Sequence, residues 1–222
     1  SKLYDVIRID HFRGFEAYWE IPADAETAMT GEWKKGPGAE LFLAIQKELG
    51  DDLPIFAEDL GLITPEVTAL RDQFGFPGMR ILQFAFEGGE SSFLPHQFDT
   101  RNCICYTGTH DNDTTVGWYQ HTSDYARDKV RRYMNTDASS VSWDFIRICL
   151  GTIARYAIFP VQDLLLIKCV IILLCCGLNA VMLRHIGLYH RFSCLASSAG
   201  SSHRLGQKLK SPLCSPIVRR IQ

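Results

Sequence analysis

Short apolar runs alternate with segments of helical periodicity along the first three quarters of the chain. The runs occupy residues 3–9, 53–57, 79–86, 103–108 and 157–161, and such runs are typical of strands buried in a parallel sheet. The spacing of apolar positions predicts helices at residues 41–49, 64–74, 125–134 and 143–156. Two prolines and three glycines at residues 22–38 predict a long surface loop.

This alternation of strands and helices predicts an α/β fold with a parallel sheet and right-handed crossovers. A closed (β/α)8 barrel needs eight strands. The pattern supplies five, with no candidates for three more.

Three carboxylates follow the ends of predicted strands. Asp10, Glu58 and Asp111 each come just after an apolar run, so a parallel arrangement would bring them to one rim of the sheet. Barrel enzymes keep their chemistry at that rim, and paired carboxylates suit cleavage of glycosidic bonds. Acids at strand ends also serve simply as caps of the following helix, and position alone leaves both interpretations open.

Charge divides the chain in two. Residues 1–163 hold 15 Lys/Arg and 25 Asp/Glu, a balance of −10, whereas residues 164–222 hold 8 Lys/Arg and no acid. The acidic first part argues against a nucleic-acid partner and is compatible with a neutral, hydroxyl-rich ligand. Its cysteines, Cys103, Cys105 and Cys149, lack the spacing of a metal site or disulfide framework and are predicted to be reduced.

Five longer motifs carry a resemblance to a known family. They are RIDHFRGFEAYW at residues 8–19, AEDLGLITPEV at 57–67, GMRILQFAF at 78–86, YTGTHDNDT at 106–114 and FPVQDLL at 159–165. Together they resemble the second half of the 4-α-glucanotransferases (amylomaltase, or disproportionating enzyme in plants) of the α-amylase superfamily. The resemblance covers residues 1 to about 166.

The resemblance implies a partial (β/α)8 TIM barrel, with strands four to eight in residues 1–166. Strands one to three would then lie upstream, and the start of the chain within a strand fits that expectation. The glycine-rich segment that the family carries after FPVQDLL is also missing here.

By resemblance, Asp10 is the nucleophile and Glu58 the general acid/base. Arg8, on the same strand face as Asp10, would keep the nucleophile ionised, although the two could also form a plain ion pair. The apolar strand before Glu58 would supply some desolvation for a carboxyl group that must first give and then take a proton.

The resemblance also implies substrate-binding side chains. Asp111 would hold sugar hydroxyls and stabilise the transition state, with His110 and His11 as further hydroxyl ligands. Asp59 is predicted to bind substrate or to cap a helix, and Phe84 to form a platform for an acceptor sugar or to lie in the core. A metal site around Asp111 would need ligands from elsewhere. The implied chemistry requires no cofactor or metal.

The expected activity is transfer of α-1,4-glucan segments between malto-oligosaccharides, with starch-derived glucans as substrates and a plastid or chloroplast location for the parent enzyme. Three alternatives remain: a hydrolase of the α-amylase type, a catalytically inactive truncated product, and a membrane-tethered glucan-binding module.

The last alternative depends on the tail, residues 167–222. Residues 169–183 are apolar but short of the roughly 20 residues that span a bilayer, so a membrane anchor is not favoured. The Ser-, Lys- and Arg-rich remainder is predicted to be disordered. The absence of family features suggests translation past a lost splice junction or a frameshift.

Overall fold

The computed structural model describes residues 4–88 and 92–166, together with the backbone of Val181–Arg184. The strands are β1 (Ile7–Ile9), β2 (Ala17–Glu20), β3 (Glu32–Lys35), β4 (Ile55–Ala57), β5 (Gly78–Ile81), β6 (Cys103–Tyr106), β7 (Tyr156–Phe159) and β8 (Val181–Arg184). The α-helices are α1 (Gly38–Leu49), α2 (Pro65–Gln73), α3 (Thr115–His121), α4 (Asp124–Met134), α5 (Val141–Gly151) and α6 (Val161–Leu164).

Five parallel strands follow one another in chain order. β1 pairs with β4, and β5, β6 and β7 form a second parallel set. The N–H of Ala57 donates to the carbonyl oxygen of Pro77 at 3.0 Å, which places β4 beside the start of β5. Within each of these two sets the carboxyl ends face the same way, and the predicted α/β alternation of parallel strands and helices is confirmed.

The predicted loop at residues 22–38 is wrong in part. β3 lies within it and pairs with β2 as an antiparallel ribbon, in which Trp19 opposes Trp33. The two indole rings meet edge-to-face with centroids 5.4 Å apart. Such cross-strand aromatic pairs stabilise a sheet, and the turn-forming residues fall between or after the two strands rather than inside them.

Other elements also differ from the sequence prediction. The helix predicted at residues 143–156 ends at Gly151, and Tyr156 begins β7. The short helix α6 was not predicted. The apolar run at residues 79–86 is a strand only as far as Ile81, and its second half turns into a 3₁₀ helix, Gln83–Ala85. The seven-residue helix α3 was not predicted. It begins at Thr114, whose hydroxyl oxygen accepts the N–H of Gly117 at 3.1 Å, a local cap that an apolar count does not detect.

Apolar clusters pack against the strands and helices. One cluster packs Phe12, Phe42 and Phe76 around β4 and α2, and another packs Phe86 and Phe145 with their neighbours beneath β6 and α5. The phenylalanine rings are fully buried, with several tilted or edge-to-face contacts. This packing fixes the strands, and through them the loops at their carboxyl ends.

The predicted tail at residues 167–222 lies outside the described residues, except for β8. That strand pairs antiparallel with β7, matching Val181 with Phe159, and the sequence pattern did not predict it. No helix in the described ranges has the length and apolar character to cross a bilayer.

Candidate active site

The three predicted carboxylates line one cleft of about 470 Å³ at the carboxyl ends of the strands. Asp10 directly follows β1, Glu58 directly follows β4, and Asp111 lies in the loop after β6. Arg8, His11 and Phe84 also line this cleft. The fold thus brings together carboxylates that are up to 101 positions apart in sequence.

Asp10 projects into the cleft with its side chain 69% exposed. Its nearest charged neighbour is Arg8, whose Nη2 atom lies 3.4 Å from Asp10 Oδ1. The same Nη2 atom lies 3.3 Å from Nδ1 of His110. Arg8 is therefore a cation shared between the end of β1 and the loop after β6, and it leaves the outer face of the Asp10 carboxylate open to a ligand.

Glu58 is held by two backbone donors. Its Oε2 atom accepts the N–H of His11 at 2.7 Å, and its Oε1 atom accepts the N–H of Leu60 at 2.8 Å. A carboxyl group has about four acceptor positions, so each oxygen keeps one for a ligand. These two bonds fix the plane of the carboxyl group at the cleft floor.

His11 adopts a left-handed backbone conformation, with φ 49° and ψ 49°. That conformation costs a non-glycine residue about 1–3 kcal/mol and clusters at functional sites, although histidine tolerates it better than most residues. It turns the His11 N–H toward Glu58 while the next N–H, of Phe12, donates to the Glu58 carbonyl oxygen at 3.0 Å. The strain is thus coupled to the orientation of Glu58.

Asp111 sits in a tight polar turn. Asn112 Oδ1 accepts both the N–H and the hydroxyl of Thr109 at 2.9 Å, and the Asp111 N–H donates to Thr109 Oγ1 at 3.3 Å. The Asp111 carboxylate meets Nε2 of His110 at 3.2 Å, and both side chains are exposed. Asp111 lines the cleft, whereas His110 is not among the cleft-lining residues, and its predicted substrate contact stays a prediction.

Asp59 points away from its neighbour Glu58. Its side chain is 3% exposed, ion-paired with Arg71 of α2, and it accepts the N–H of Met79 at 2.7 Å. It is not among the cleft-lining residues. These contacts support the structural interpretation of Asp59, which ties β4 to α2 and β5, and its predicted substrate contact stays a prediction.

Phe84 is the aromatic wall of the cleft. It is 36% exposed and meets Phe93 edge-to-face at 5.8 Å between ring centroids. Its neighbours on both sides, Gln83 and Ala85, are buried. The 3₁₀ turn after β5 therefore presents one aromatic face outward from an otherwise buried segment.

Several residues of the site were missed by sequence reasoning. The cleft is also lined by Leu60, Gly61, Met79, Thr109 and Asn112. The Thr109 and Asn112 pair has a readable signal, because Asn and Thr side chains bond nearby backbone groups in turns. Leu60 and Met79 have none, since an apolar residue next to a strand end is ordinary in a core.

Asp163 forms a buried polar centre behind the Asp111 loop. It accepts the hydroxyl of Thr107 at 2.6 Å, and the N–H and hydroxyl of Thr115 at 2.8 Å each. Burial raises the pKa of this carboxyl group, and the threonine bonds oppose that shift. Asp163 thus joins α6 to both the end of β6 and the start of α3.

Metal-binding residues do not converge in residues 4–88 and 92–166: no group of three or more His, Cys, Asp or Glu side chains there could hold an ion. Cys103, Cys105 and Cys149 are free and buried. Burial raises the pKa of the Cys103 thiol to about 11.

The chain is similar to several proteins named as 4-alpha-glucanotransferases. A protein from Synechocystis named 4-alpha-glucanotransferase is 53% identical over 163 residues, covering 72% of this chain and 32% of the relative. One of the same name from Thermus thermophilus is 49% identical, covering 74% and 34%. The amylomaltase of Streptococcus agalactiae, solved in complex with acarbose, has a TM-score of 0.69 at 41% identity, covering 74% of this chain and 33% of that one.

The chain spans about a third of the length of these relatives. Plant relatives from Arabidopsis thaliana and Solanum tuberosum, 46% and 44% identical, are named as chloroplastic/amyloplastic. The sequence pattern of the family described as 4-alpha-glucanotransferase, glycoside hydrolase family 77, matches residues 1–171. This chain therefore belongs to the 4-α-glucanotransferase family.

Proposed function

We propose that this chain carries the carboxylate centre of a 4-α-glucanotransferase, which transfers α-1,4-glucan segments between malto-oligosaccharides. The observation that carries the proposal is the convergence of Asp10, Glu58 and Asp111 on one cleft beside the exposed ring of Phe84. Carboxylates supply the chemistry of glycosidic-bond cleavage, and an aromatic face supplies an apolar surface for a sugar ring. Family membership and the acarbose-bound amylomaltase neighbour support the same function.

The proposed reaction is a double displacement with retention of the α-anomer. Asp10 attacks the anomeric carbon while Glu58 protonates the leaving glycosidic oxygen, so the C1–O bond breaks and a C1–Oδ ester forms. Glu58 then removes the proton from the incoming 4-hydroxyl, which displaces Asp10. This mechanism requires the two carboxyl groups to lie about 5 Å apart, which is compatible with their placement on the paired strands β1 and β4.

The remaining polar groups would bind the sugar in the cleavage site. Asp111 lines the cleft and His110 lies 3.2 Å from its carboxylate, and we propose that both hold sugar hydroxyls as positive charge develops at the anomeric carbon. Arg8 would orient the Asp10 carboxylate through their contact at 3.4 Å. His11 would contribute its imidazole to the same sugar, and its N–H fixes Glu58.

Transfer rather than hydrolysis depends on the exclusion of water from the covalent intermediate. Phe84 supports this preference because it offers an acceptor sugar a stacking surface within the cleft. A ring stacked there would occupy the path that water needs to reach the anomeric carbon.

We further propose that residues 1–166 form strands four to eight of a (β/α)8 TIM barrel. The parallel order of β1, β4, β5, β6 and β7 supports the barrel assignment, as does the family match, which ends at residue 171. The two plant relatives support a plastid location, whereas the bacterial relatives do not bear on it.

The function is tested by incubating the 222-residue chain with maltotriose and separating the products. Transfer of a maltosyl unit from one maltotriose to another yields glucose together with maltopentaose, and further rounds yield other longer glucans, whereas hydrolysis yields only glucose and maltose. Asp10→Asn should abolish both outcomes, and Asp124→Asn, an exposed acid at the start of α4, serves as the matched control. Absence of longer glucans from the folded, unsubstituted chain would contradict transferase activity in this molecule.

A further inference from the structure

A buried glutamine connects the two sides of the cleft. Gln83 follows β5 directly before Phe84 and is only 1% exposed. Its Nε2 atom donates to the carbonyl oxygen of Asp113 at 2.9 Å. Asp113 ends the turn that carries Asp111, so this one hydrogen bond links the aromatic wall to the third carboxylate.

The glutamine side chain lies in a space that a glycine leaves open. A Cβ atom on Gly108 would lie 2.7 Å from Nε2 and 3.2 Å from Cδ of Gln83. The absence of a side chain at position 108 therefore lets the Gln83 amide pass between β6 and the Asp111 turn. Gly108 does not adopt a positive φ. The close approach of the Gln83 side chain, rather than the backbone conformation, therefore explains why glycine occupies position 108.

Both ends of the link are otherwise well fixed. On the Gln83 side, the Leu82 N–H donates to the Tyr106 carbonyl oxygen at 2.8 Å and the Phe86 N–H to the Gln83 carbonyl oxygen at 3.2 Å. On the other side, the Asp113 carboxylate accepts the N–H of Thr114 at 2.8 Å. A link between two such rigid segments sets their separation.

We propose that Gln83 is a positioning residue that sets the distance between Phe84 and Asp111, and thereby aligns an acceptor sugar with the sugar at the cleavage site. The inference rests on the proposed function for its catalytic consequence. Gln83 itself is buried and would not contact substrate. Gln83 would act on the substrate indirectly, by positioning Phe84 on one side and the turn that carries Asp111 on the other.

The test uses three sets of variants in the full 222-residue chain. Gln83→Met keeps the length of the side chain and removes the donor. Gly108→Ala places a methyl group against the Gln83 amide. The double variant Gly108→Ala/Gln83→Ala carries the same methyl group but lacks the amide atoms with which it would collide. Gln162→Met, at another buried glutamine in α6, is the matched control.

The first readout is backbone amide chemical shifts. We expect Gln83→Met to shift the amide signals of Phe84, Asp111 and Asp113 together, and Gln162→Met to leave them in place. We expect Gly108→Ala to lower the melting temperature in the parent chain and much less in the Gln83→Ala background. The proposal would be overturned if Gln83→Met left the Phe84 and Asp111 signals unchanged, or if Gly108→Ala lowered the melting temperature equally in both backgrounds.

The second readout is the ratio of transfer to hydrolysis, with maltotriose as donor and labelled glucose as acceptor. We expect Gln83→Met to lower this ratio by about tenfold, equivalent to the loss of roughly one well-placed hydrogen bond. A purely structural role would lower both reactions equally and leave the ratio unchanged, which would overturn the proposal. An unsubstituted chain without any activity would contradict the proposed function instead, and the amide shifts and melting temperatures would still decide the role of Gln83.

Discussion

The backbone N–H of His11 donates to Oε2 of Glu58 at 2.7 Å, from a residue held in the left-handed region with φ 49°. The bond joins the segment after β1 to the segment after β4. Two adjacent strand ends, each carrying a predicted catalytic carboxylate, are thereby locked together. The orientation of Glu58 depends on a backbone conformation that most residues avoid.

This dependence predicts a difference between two substitutions at position 11. His11→Gly should fold without strain, since glycine adopts positive φ readily. His11→Val should be less stable than His11→Gly by about 1–2 kcal/mol, because a β-branched residue is poorly suited to that region. Urea denaturation of the two variants measures the difference. Equal stability would mean that the left-handed conformation is not maintained in solution.

The buried pair of Asp59 and Arg71 predicts a loss of stability when it is broken. Asp59→Asn leaves part of the Arg71 charge without its buried partner, and we expect a cost of about 3–5 kcal/mol in the free energy of unfolding. Asp72→Asn is the matched control, because Asp72 pairs with the same guanidinium from an exposed position and should cost under about 1 kcal/mol. Chemical denaturation of both variants provides the comparison, and similar costs would contradict the structural role of Asp59.

Phe84 should affect the acceptor more than the fold. Because its ring is partly exposed, we expect Phe84→Ala to leave the melting temperature nearly unchanged. The loss of a stacking surface should raise the KM for glucose as acceptor about tenfold, the effect of losing roughly 1.4 kcal/mol of binding. Tyr125→Ala, at another exposed aromatic residue, is the control for general surface effects. A fall in stability without a change in KM would instead assign Phe84 to the core.

Asp163 predicts a pH dependence of stability. Burial raises the pKa of its carboxyl group in the folded state, so the folded chain binds this proton more tightly than the unfolded chain. The favourable contribution of the protonated form is then fully present below about pH 3.9 and is lost as pH rises through the folded-state pKa. The stability advantage of the parent chain over Asp163→Asn should therefore fall across that window. Unfolding free energies at several pH values measure it, and a constant difference would refute the raised pKa.

The sequence allowed the parallel strands and the cleft acids to be predicted for a simple physical reason. A strand buried on both faces is mostly apolar, so the transition from an apolar run to an acid marks its end, as at Glu58 after the buried strand β4. The family resemblance then supplied the chemistry expected of those positions. Asp59 was harder to assign, because its paired role depends on Arg71, a partner 12 residues away whose direction only the fold reveals.

The antiparallel ribbon and Gln83 could not be predicted for different reasons. The ribbon is stabilised by cross-strand contacts of Trp19 with Trp33 and of Glu20 with Lys34, and residues 17–20 lack a clear alternation of buried and exposed positions. Gln83 lies inside an apolar run, where a single amide looks incidental. Its importance comes from the space above Gly108 and from the carbonyl group of Asp113, 30 residues away.

Trapping of the covalent intermediate tests the central claim most directly. Glu58→Gln should still accept a maltosyl group from α-maltosyl fluoride, because fluoride leaves without a proton, but the variant should not release that group to water or to an acceptor. The chain should then gain one maltosyl unit by mass, located by peptide mapping on Asp10 and absent from the double variant with Asp10→Asn. A maltosyl ester on another residue, or none on a folded chain, would contradict the assignment of Asp10 as nucleophile and Glu58 as acid/base.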